Sequence, residues 1–113
     1  MASLRTLYPV VVAQLTAASS GQNTVVTAVA GKAINVIGFV ISTPSAVVVK
    51  FRTGSSTELT GSGLNLGAEG GIAVPPGDTV LFKTTIAANL TVNLSGSVSG
   101  GIGGCVWYIL TDS

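Results

Sequence analysis

The chain has 113 residues, of which 47% are hydrophobic and only 8% are charged, and its formal net charge is +1. This length supports one domain with a single core. Because a typical soluble domain has roughly 25% charged residues, we expect further copies of the chain, or another protein, to cover much of this surface.

The scattered basic residues and the short apolar runs predict no nucleic-acid partner and no membrane partner. Residues 10–18 predict a first strand, and the turn-rich residues 19–23 separate it from a second strand at 24–30. We therefore divide the chain into an N-terminal arm that includes the first strand, residues 1–23, and a single β domain, residues 24–113.

The stretch from residue 31 to residue 52 contains two strong strand patterns, which we predict to form a β-hairpin. Its first arm, 32–41, is apolar on both alternating faces, and this predicts burial on both sides. Its second arm, 46–52, alternates apolar and polar residues as a strand buried on one side does. Pro44 lies between the arms and suits a turn, because its ring fixes φ and removes a hydrogen-bond donor.

Short strands separated by turn residues continue to the end of the chain. Residues 53–71 are rich in Gly, Ser and Thr, and their spaced leucines predict short edge strands. Further strands are predicted at 72–74, 79–85, 89–95 and 105–110. The alternation is cleanest in 89–95, where the polar residues should point outward and three apolar residues should face the core: Leu90, Val92 and Leu94.

About eight short strands, with turn signals every ~8 to 12 residues and no helical period, predict an all-β antiparallel sandwich. At this length we expect a jelly roll of about eight strands in two sheets. Strands 32–41 and 105–110 are apolar on both faces, so each has one face left after the core is filled. We place a subunit interface there. The predicted interface residues are Ile37, Phe39, Ile41, Val106, Tyr108 and Leu110.

The sequence offers no complete catalytic or metal-binding constellation, and we predict no enzyme and no cofactor. It has no histidine to act as a base for a nucleophilic cysteine. The apolar neighbours of its single cysteine, Cys105, predict a buried structural thiol. Glu58, Glu69 and Asp78 are scattered, which favours solvated positions over an acid–base pair or a calcium site. The glycine-rich stretches open no helix and are interpreted as turns and bulges rather than phosphate loops.

Two further features allow either recognition or packing. Residues 89–91 and 93–95 match glycosylation sequons, but the same residues predict a hydrogen-bonding ladder on the exposed face of a strand. Trp107, Tyr108 and Tyr8 could form an aromatic platform for a sugar. Trp107 lies within an apolar strand, however, which favours core or interface packing.

Three parts of the chain resemble small virion proteins of tailed bacteriophages: residues 31–39 (GKAINVIGF), residues 49–55 (VKFRTGS) with 59–61 (LTG), and residues 103–108 (GGCVWY). The resemblance covers residues 24–110. The N-terminal arm, residues 1–23, lies outside it and is expected to reach either a neighbouring subunit or a capsid protein. The resemblance implies a jelly roll that forms a homotrimer and is located in the virion. Such proteins lie on the capsid surface as cement or decoration proteins, or form the heads of tail fibres. The implied partners are further copies of the chain and the major capsid protein.

The function that we expect is a non-enzymatic capsid cement or decoration protein, which stabilises the phage head through oligomeric contacts with capsid subunits. The alternative is a receptor- or glycan-binding module of the tail-fibre or lectin-like kind. An exposed Trp107 or Tyr108 beside polar loop residues would favour this alternative, whereas burial of both would favour the structural role.

Overall fold

The structure is a computed structural model, and it describes residues 8–54 and 57–112. These residues form strands, turns and loops and contain no helix. The strands of the described chain are β1 (Val11–Gln14), β2 (Gly21–Val26), β3 (Ala33–Ser42), β4 (Val47–Thr53), β5 (Thr57–Glu58), β6 (Leu64–Leu66), β7 (Gly71–Val74), β8 (Phe82–Lys83), β9 (Leu90–Leu94) and β10 (Gly103–Thr111).

The strands form two antiparallel sheets that pack against each other, which confirms the predicted all-β sandwich. Sheet A has the order β1-β10-β3-β7, and β8 also pairs with β3. Sheet B has the order β2-β9-β4-β5, and β6 also pairs with β4. The short strands β7 and β8 pair with different parts of β3, and β5 and β6 with different parts of β4. Each of these pairs therefore occupies one edge position of its sheet.

Three phenylalanine rings join the two sheets in the core. Phe51 of sheet B lies 5.4 Å from Phe39 and 5.1 Å from Phe82 of sheet A, measured between ring centroids, and the rings are tilted. Such tilted aromatic pairs add to the free energy gained by burial alone. The three β9 residues predicted to face the core are buried beside them, which confirms that prediction: Leu90, Val92 and Leu94.

The predicted β-hairpin of residues 31–52 is wrong, because β3 belongs to sheet A and β4 to sheet B. Residues 43–46 carry the chain across from one sheet to the other. The backbone N–H of Thr43 donates to the carbonyl of Gly70 at 3.0 Å, which fixes this crossing against the turn before β7. Alternation and Pro44 correctly indicate two strands and a turn, but they do not distinguish strands that pair from strands that face each other.

The two strands that are apolar on both faces, β3 and β10, lie side by side in the middle of sheet A. Their register shifts opposite Ile37, which becomes the extra residue of a β-bulge. The core-facing positions of β3 therefore change from even to odd numbers. Ile34 and Val36 contact the core before the bulge, and Phe39 and Ile41 contact it after the bulge.

Part of the predicted N-terminal arm is integrated into the sandwich. β1 pairs with β10, and Leu15, which follows it, is buried in the core. β2 begins at Gly21 and continues across the predicted boundary after residue 23. Residues 1–7 of the predicted arm lie outside the described residues.

Candidate functional site

The acidic residues considered for catalysis or calcium binding lie in separate parts of the sandwich. Glu58 is in β5, Glu69 is in an exposed turn before β7, and Asp78 is in the loop between β7 and β8. In residues 8–54 and 57–112, no group of three or more His, Cys, Asp or Glu side chains is arranged to hold a metal ion. The described structure therefore supports neither an acid–base pair nor a calcium site.

Glu58 takes part in an ion pair at the edge of sheet B. Its Oε1 accepts hydrogen bonds from Arg52 Nη2 at 2.8 Å and from Arg52 Nε at 3.1 Å, and Lys50 Nζ lies 4.0 Å away. The hydrogen bond from Arg52 lowers the pKa of Glu58 below its ordinary value, and the positive charges of Arg52 and Lys50 act in the same direction. Partial desolvation opposes this shift. Such a carboxylate is stabilised in its charged form, so it is a poor proton donor at neutral pH.

The six residues predicted to form a subunit interface are buried or partly buried within the single chain. Four are buried and two are partly buried; in that order they are Ile37, Phe39, Ile41 and Val106, then Tyr108 and Leu110. All except Ile37 contact the core cluster between the sheets. The apolar surface left over on β3 and β10 is therefore on the opposite side of these strands, so the argument for an interface does not apply to these six residues.

The outer face of sheet A carries a partly exposed surface without charged residues. Val12 of β1 lies opposite Trp107 of β10, and in the next row Gln14 and Cys105 are cross-strand partners. Val12 is 55% exposed, and Trp107 and Cys105 are half-buried. We call this surface the uncharged patch. It consists of Val12, Gln14, Val40, Ala73, Cys105 and Trp107.

Sequence reasoning assigned the correct strands to an apolar surface but missed this face of them. Simple alternation along β3 cannot reveal that the bulge at Ile37 reverses which side Val40 faces. The sequence signal that was available is Gly38, directly after the bulge, because an isolated glycine inside a strand pattern indicates a bulge or a close backbone approach.

Cys105 is half-buried on the outer face of sheet A and does not lie in the core, which corrects the prediction of a buried structural thiol. The neighbouring Val106 is the residue that faces the core, at 0% exposure. Apolar neighbours in sequence therefore do not place the cysteine itself inside, because adjacent strand residues point to opposite faces.

The outer face of sheet B is polar by contrast. Gln22, Asn93 and Lys50 form one cross-strand row on β2, β9 and β4. In the next row, Thr24 and Arg52 lie on either side of Thr91. The two faces of the sandwich therefore differ in the partners that their chemistry suits.

The predicted polar ladder of residues 89–95 is only partly exposed. Thr91 is fully buried and donates its hydroxyl to the carbonyl of Gly54 at 2.7 Å. Asn89 accepts a hydrogen bond from the backbone N–H of Ala28 at 2.6 Å. Both side chains make hydrogen bonds within the sandwich, and Asn89, the first residue of the sequon at 89–91, is half-buried.

Two of the aromatic residues considered for sugar binding, Trp107 and Tyr108, lie on opposite faces of β10. Trp107 lies in the uncharged patch next to Val12, whereas Tyr108 packs against the core on the other side of β10. Trp107 and Tyr108 are each half-buried, so neither condition set for the two functional alternatives is met in full.

Two concavities on the described part of the chain are small or shallow. One, of about 410 Å³, is an open groove beside β4 and β6. The other, of about 180 Å³, lies between the first two strands and reaches Val92. Neither is lined by a charged side chain.

No known protein-family model, no curated protein and no solved structure significantly matches this chain. The part of the chain that the structure describes has no helical segment with the length and hydrophobicity for crossing a membrane.

Proposed function

We propose that the chain is a non-enzymatic structural protein of a phage virion, which assembles from several copies and attaches to the capsid as a cement or decoration protein. The uncharged patch on sheet A is the observation that carries the proposal. Its sequence basis is the resemblance of residues 24–110 to small virion proteins of tailed phages.

The distribution of charge supports an assembly role. Two ion pairs, Lys32 with Asp112 and Arg52 with Glu58, lie away from the uncharged patch. A protein that covers the patch would therefore bury apolar surface without burying an unpaired charge, which is the costly event in association. A small domain with 8% charged residues is also poorly suited to remain a free monomer at high concentration.

The order of the strands supports the jelly-roll part of the proposal. When β5 with β6 and β7 with β8 are each counted as one edge position, each sheet has four positions. The first and last strands then pair with each other in sheet A, and the chain alternates between the sheets from β1 to β4. This nested order is what two Greek keys wound into a jelly roll produce.

In this role the protein holds the capsid by many shallow contacts repeated around the shell. Each contact is weak. Once one copy of an oligomer is bound to the capsid, the other copies bind at a high effective concentration, so the oligomer binds more tightly than a single copy. Such a mechanism needs a broad surface rather than a deep pocket, in keeping with the shallow concavities of this sandwich.

The test is to purify virions that carry the gene, to separate heads from tails, and to measure this chain in each fraction by mass spectrometry. We expect the chain in the head fraction, and we expect heads that lack it to release DNA at a lower temperature. Its absence from virions, or unchanged heat release from heads that lack it, would contradict the proposal.

A glycan- or receptor-binding module is the second candidate, and the polar outer face of sheet B favours it. The row Gln22, Asn93 and Lys50 presents amide and ammonium groups that can bind sugar hydroxyls. Recovery of the chain in the tail fraction, with binding to a glycan array that Asn93→Ala abolishes, would support this candidate instead.

A further inference from the structure

The edges of the two sheets are not equally protected against pairing with another strand. The edge formed by β5 and β6 is interrupted by residues 59–63, and the edge formed by β7 and β8 is interrupted by residues 75–81, which include two prolines. The register of β2 shifts between Thr24 and Val26. Interruptions, prolines and bulges are the devices by which proteins block edge-to-edge association.

β1 is the remaining edge strand, and it lacks interruptions, prolines and register shifts. Its sequence Val-Val-Ala-Gln contains no charge and no proline, and its register with β10 has no shift. Val11 is 39% exposed and Val12 is 55% exposed. Within the described residues, β1 is thus a regular, apolar edge strand of the kind that pairs readily with a further strand.

The hydrogen-bonding pattern of β1 indicates which backbone groups are available. The N–H of Leu15 donates to the carbonyl of Gly104 at 2.9 Å, so this residue and every second residue before it point toward β10. By alternation, the N–H and C=O groups of Val12 and Gln14 point away from β10. In the described structure, β10 is the strand with which β1 pairs.

We infer that β1 is a docking strand for β1 of a second copy of this chain, paired antiparallel about a twofold axis. A strand that pairs antiparallel with its own copy brings N–H and C=O groups opposite each other in both directions. No like charges are brought together, because β1 carries none. The exposed Val11 and Val12 then lose contact with water.

The pairing has a consequence for the proposed function, on which this inference rests. An antiparallel pair keeps the same face of both sheets on the same side. The two uncharged patches, each of which includes Val12, then form one continuous surface twice as wide. Pairing through β1 gives a dimer, whereas the resemblance to phage virion proteins implies a trimer. The number of copies in the oligomer therefore distinguishes edge pairing from the implied trimer.

Two substitutions test the edge while leaving the fold intact. Val12→Lys places a charge on an exposed edge position, and Gln14→Pro removes an outward N–H without removing a bond to β10. Thr24→Lys on β2 is the matched control, because Thr24 is also exposed and lies on the edge of the other sheet. Circular dichroism and thermal unfolding at low concentration establish that each variant is folded.

Sedimentation velocity over a dilution series gives the association constant of each protein. We expect the wild type and Thr24→Lys to dimerise alike, and Val12→Lys and Gln14→Pro to dimerise at least about tenfold more weakly. Hydrogen exchange gives an independent readout. The amides of Val12 and Gln14 should be protected only at concentrations where the dimer is populated.

The outcomes separate the two proposals. If the wild type associates but Val12→Lys and Gln14→Pro associate equally well, or if the Val12 and Gln14 amides exchange freely in the oligomer, edge pairing is wrong and the assembly role stands. If the wild type is monomeric at every concentration, both the edge pairing and the assembly role are contradicted.

Discussion

Phe51 is the residue at which the two sheets depend most directly on each other. It is fully buried, and its ring contacts Phe39 and Phe82 of the opposite sheet. Phe51→Ala should lower the free energy of unfolding by about 3–5 kcal/mol, because it removes buried area and leaves a cavity. Urea denaturation measures this loss.

Leu81→Ala is the control for Phe51, because Leu81 is 41% exposed. Its effect should lie within about 0.5 kcal/mol of zero, as is usual at the surface. Equal losses in the two variants would mean that the phenylalanine cluster does not hold the sheets together.

Gly38 allows the loop after β7 to approach β3 closely. A Cβ atom at this position would lie 2.6 Å from the backbone nitrogen of Pro76, closer than real Cβ contacts come. Gly38→Ala should therefore destabilise the protein by about 1–3 kcal/mol, since the loop backbone must shift. Thermal unfolding compares it with Gly67→Ala, whose Cβ would meet open space and which should be neutral or slightly stabilising. A neutral Gly38→Ala would refute the close approach.

Glu58 should titrate below the ordinary carboxyl range, because Arg52 donates two hydrogen bonds to it. Its folded pKa is depressed, so its contribution to stability is present above the unfolded pKa and is lost as the pH falls through the folded pKa. The stabilising contribution of Glu58 should therefore be complete and independent of pH near neutrality, and it should decrease below about pH 4.5.

An NMR titration of the Glu58 carboxyl carbon measures this pKa directly. Arg52→Gln should raise it, and Lys50→Gln should raise it by less, because Lys50 Nζ lies at 4.0 Å and makes no short hydrogen bond. An unchanged midpoint in Arg52→Gln would contradict the assigned cause.

At the scale of the elements, β8 is joined to the centre of sheet A through a buried hydroxyl. Thr84, 2% exposed, accepts a hydrogen bond on Oγ1 from the backbone N–H of Ile34 at 2.9 Å. Thr84→Val keeps the shape but leaves this N–H without a partner, so it should cost about 1–3 kcal/mol. Hydrogen exchange at Ile34 should become faster at the same time.

Thr79→Val provides the matched comparison, because Thr79 is exposed in the loop before β8. The same change of side chain should have little effect there. If both variants were equally stable, the Thr84 hydroxyl would not be needed to hold β8 in place.

Most strands could be predicted from alternation and turn residues, and their pairing could not. β9 is the clearest success, because a period-two pattern determines which residues face the core. The predicted hairpin of β3 and β4 failed because the pairing partners, β10 and β9, are distant in sequence. Local pattern is the same for strands that pair and strands that cross between sheets.

The candidate surface was only partly predictable for a related reason. The two doubly apolar strands correctly indicated surplus apolar area, but the bulge at Ile37 decides which residues face outward. Composition revealed the shortage of charge. The location of the uncharged patch and of the unprotected strand β1 required the three-dimensional arrangement.

At the scale of the whole molecule, one sandwich presents the uncharged patch on the outer face of sheet A and a polar outer face on sheet B. The assembly proposal explains this asymmetry. A protein that forms part of a larger assembly needs one surface that its neighbours bury and another that stays in contact with water. The exposed edge strand β1 contributes Val12 and Gln14 to the uncharged patch, so pairing of two copies through β1 widens the surface that another protein can cover.

The most direct test of self-assembly is the solution mass of the wild-type protein by light scattering over a wide dilution series. The account predicts a mass of two chains at high concentration that falls toward one chain on dilution. A stable mass of three chains would support assembly but contradict edge pairing. The mass of a single chain at every concentration would contradict the assembly account itself.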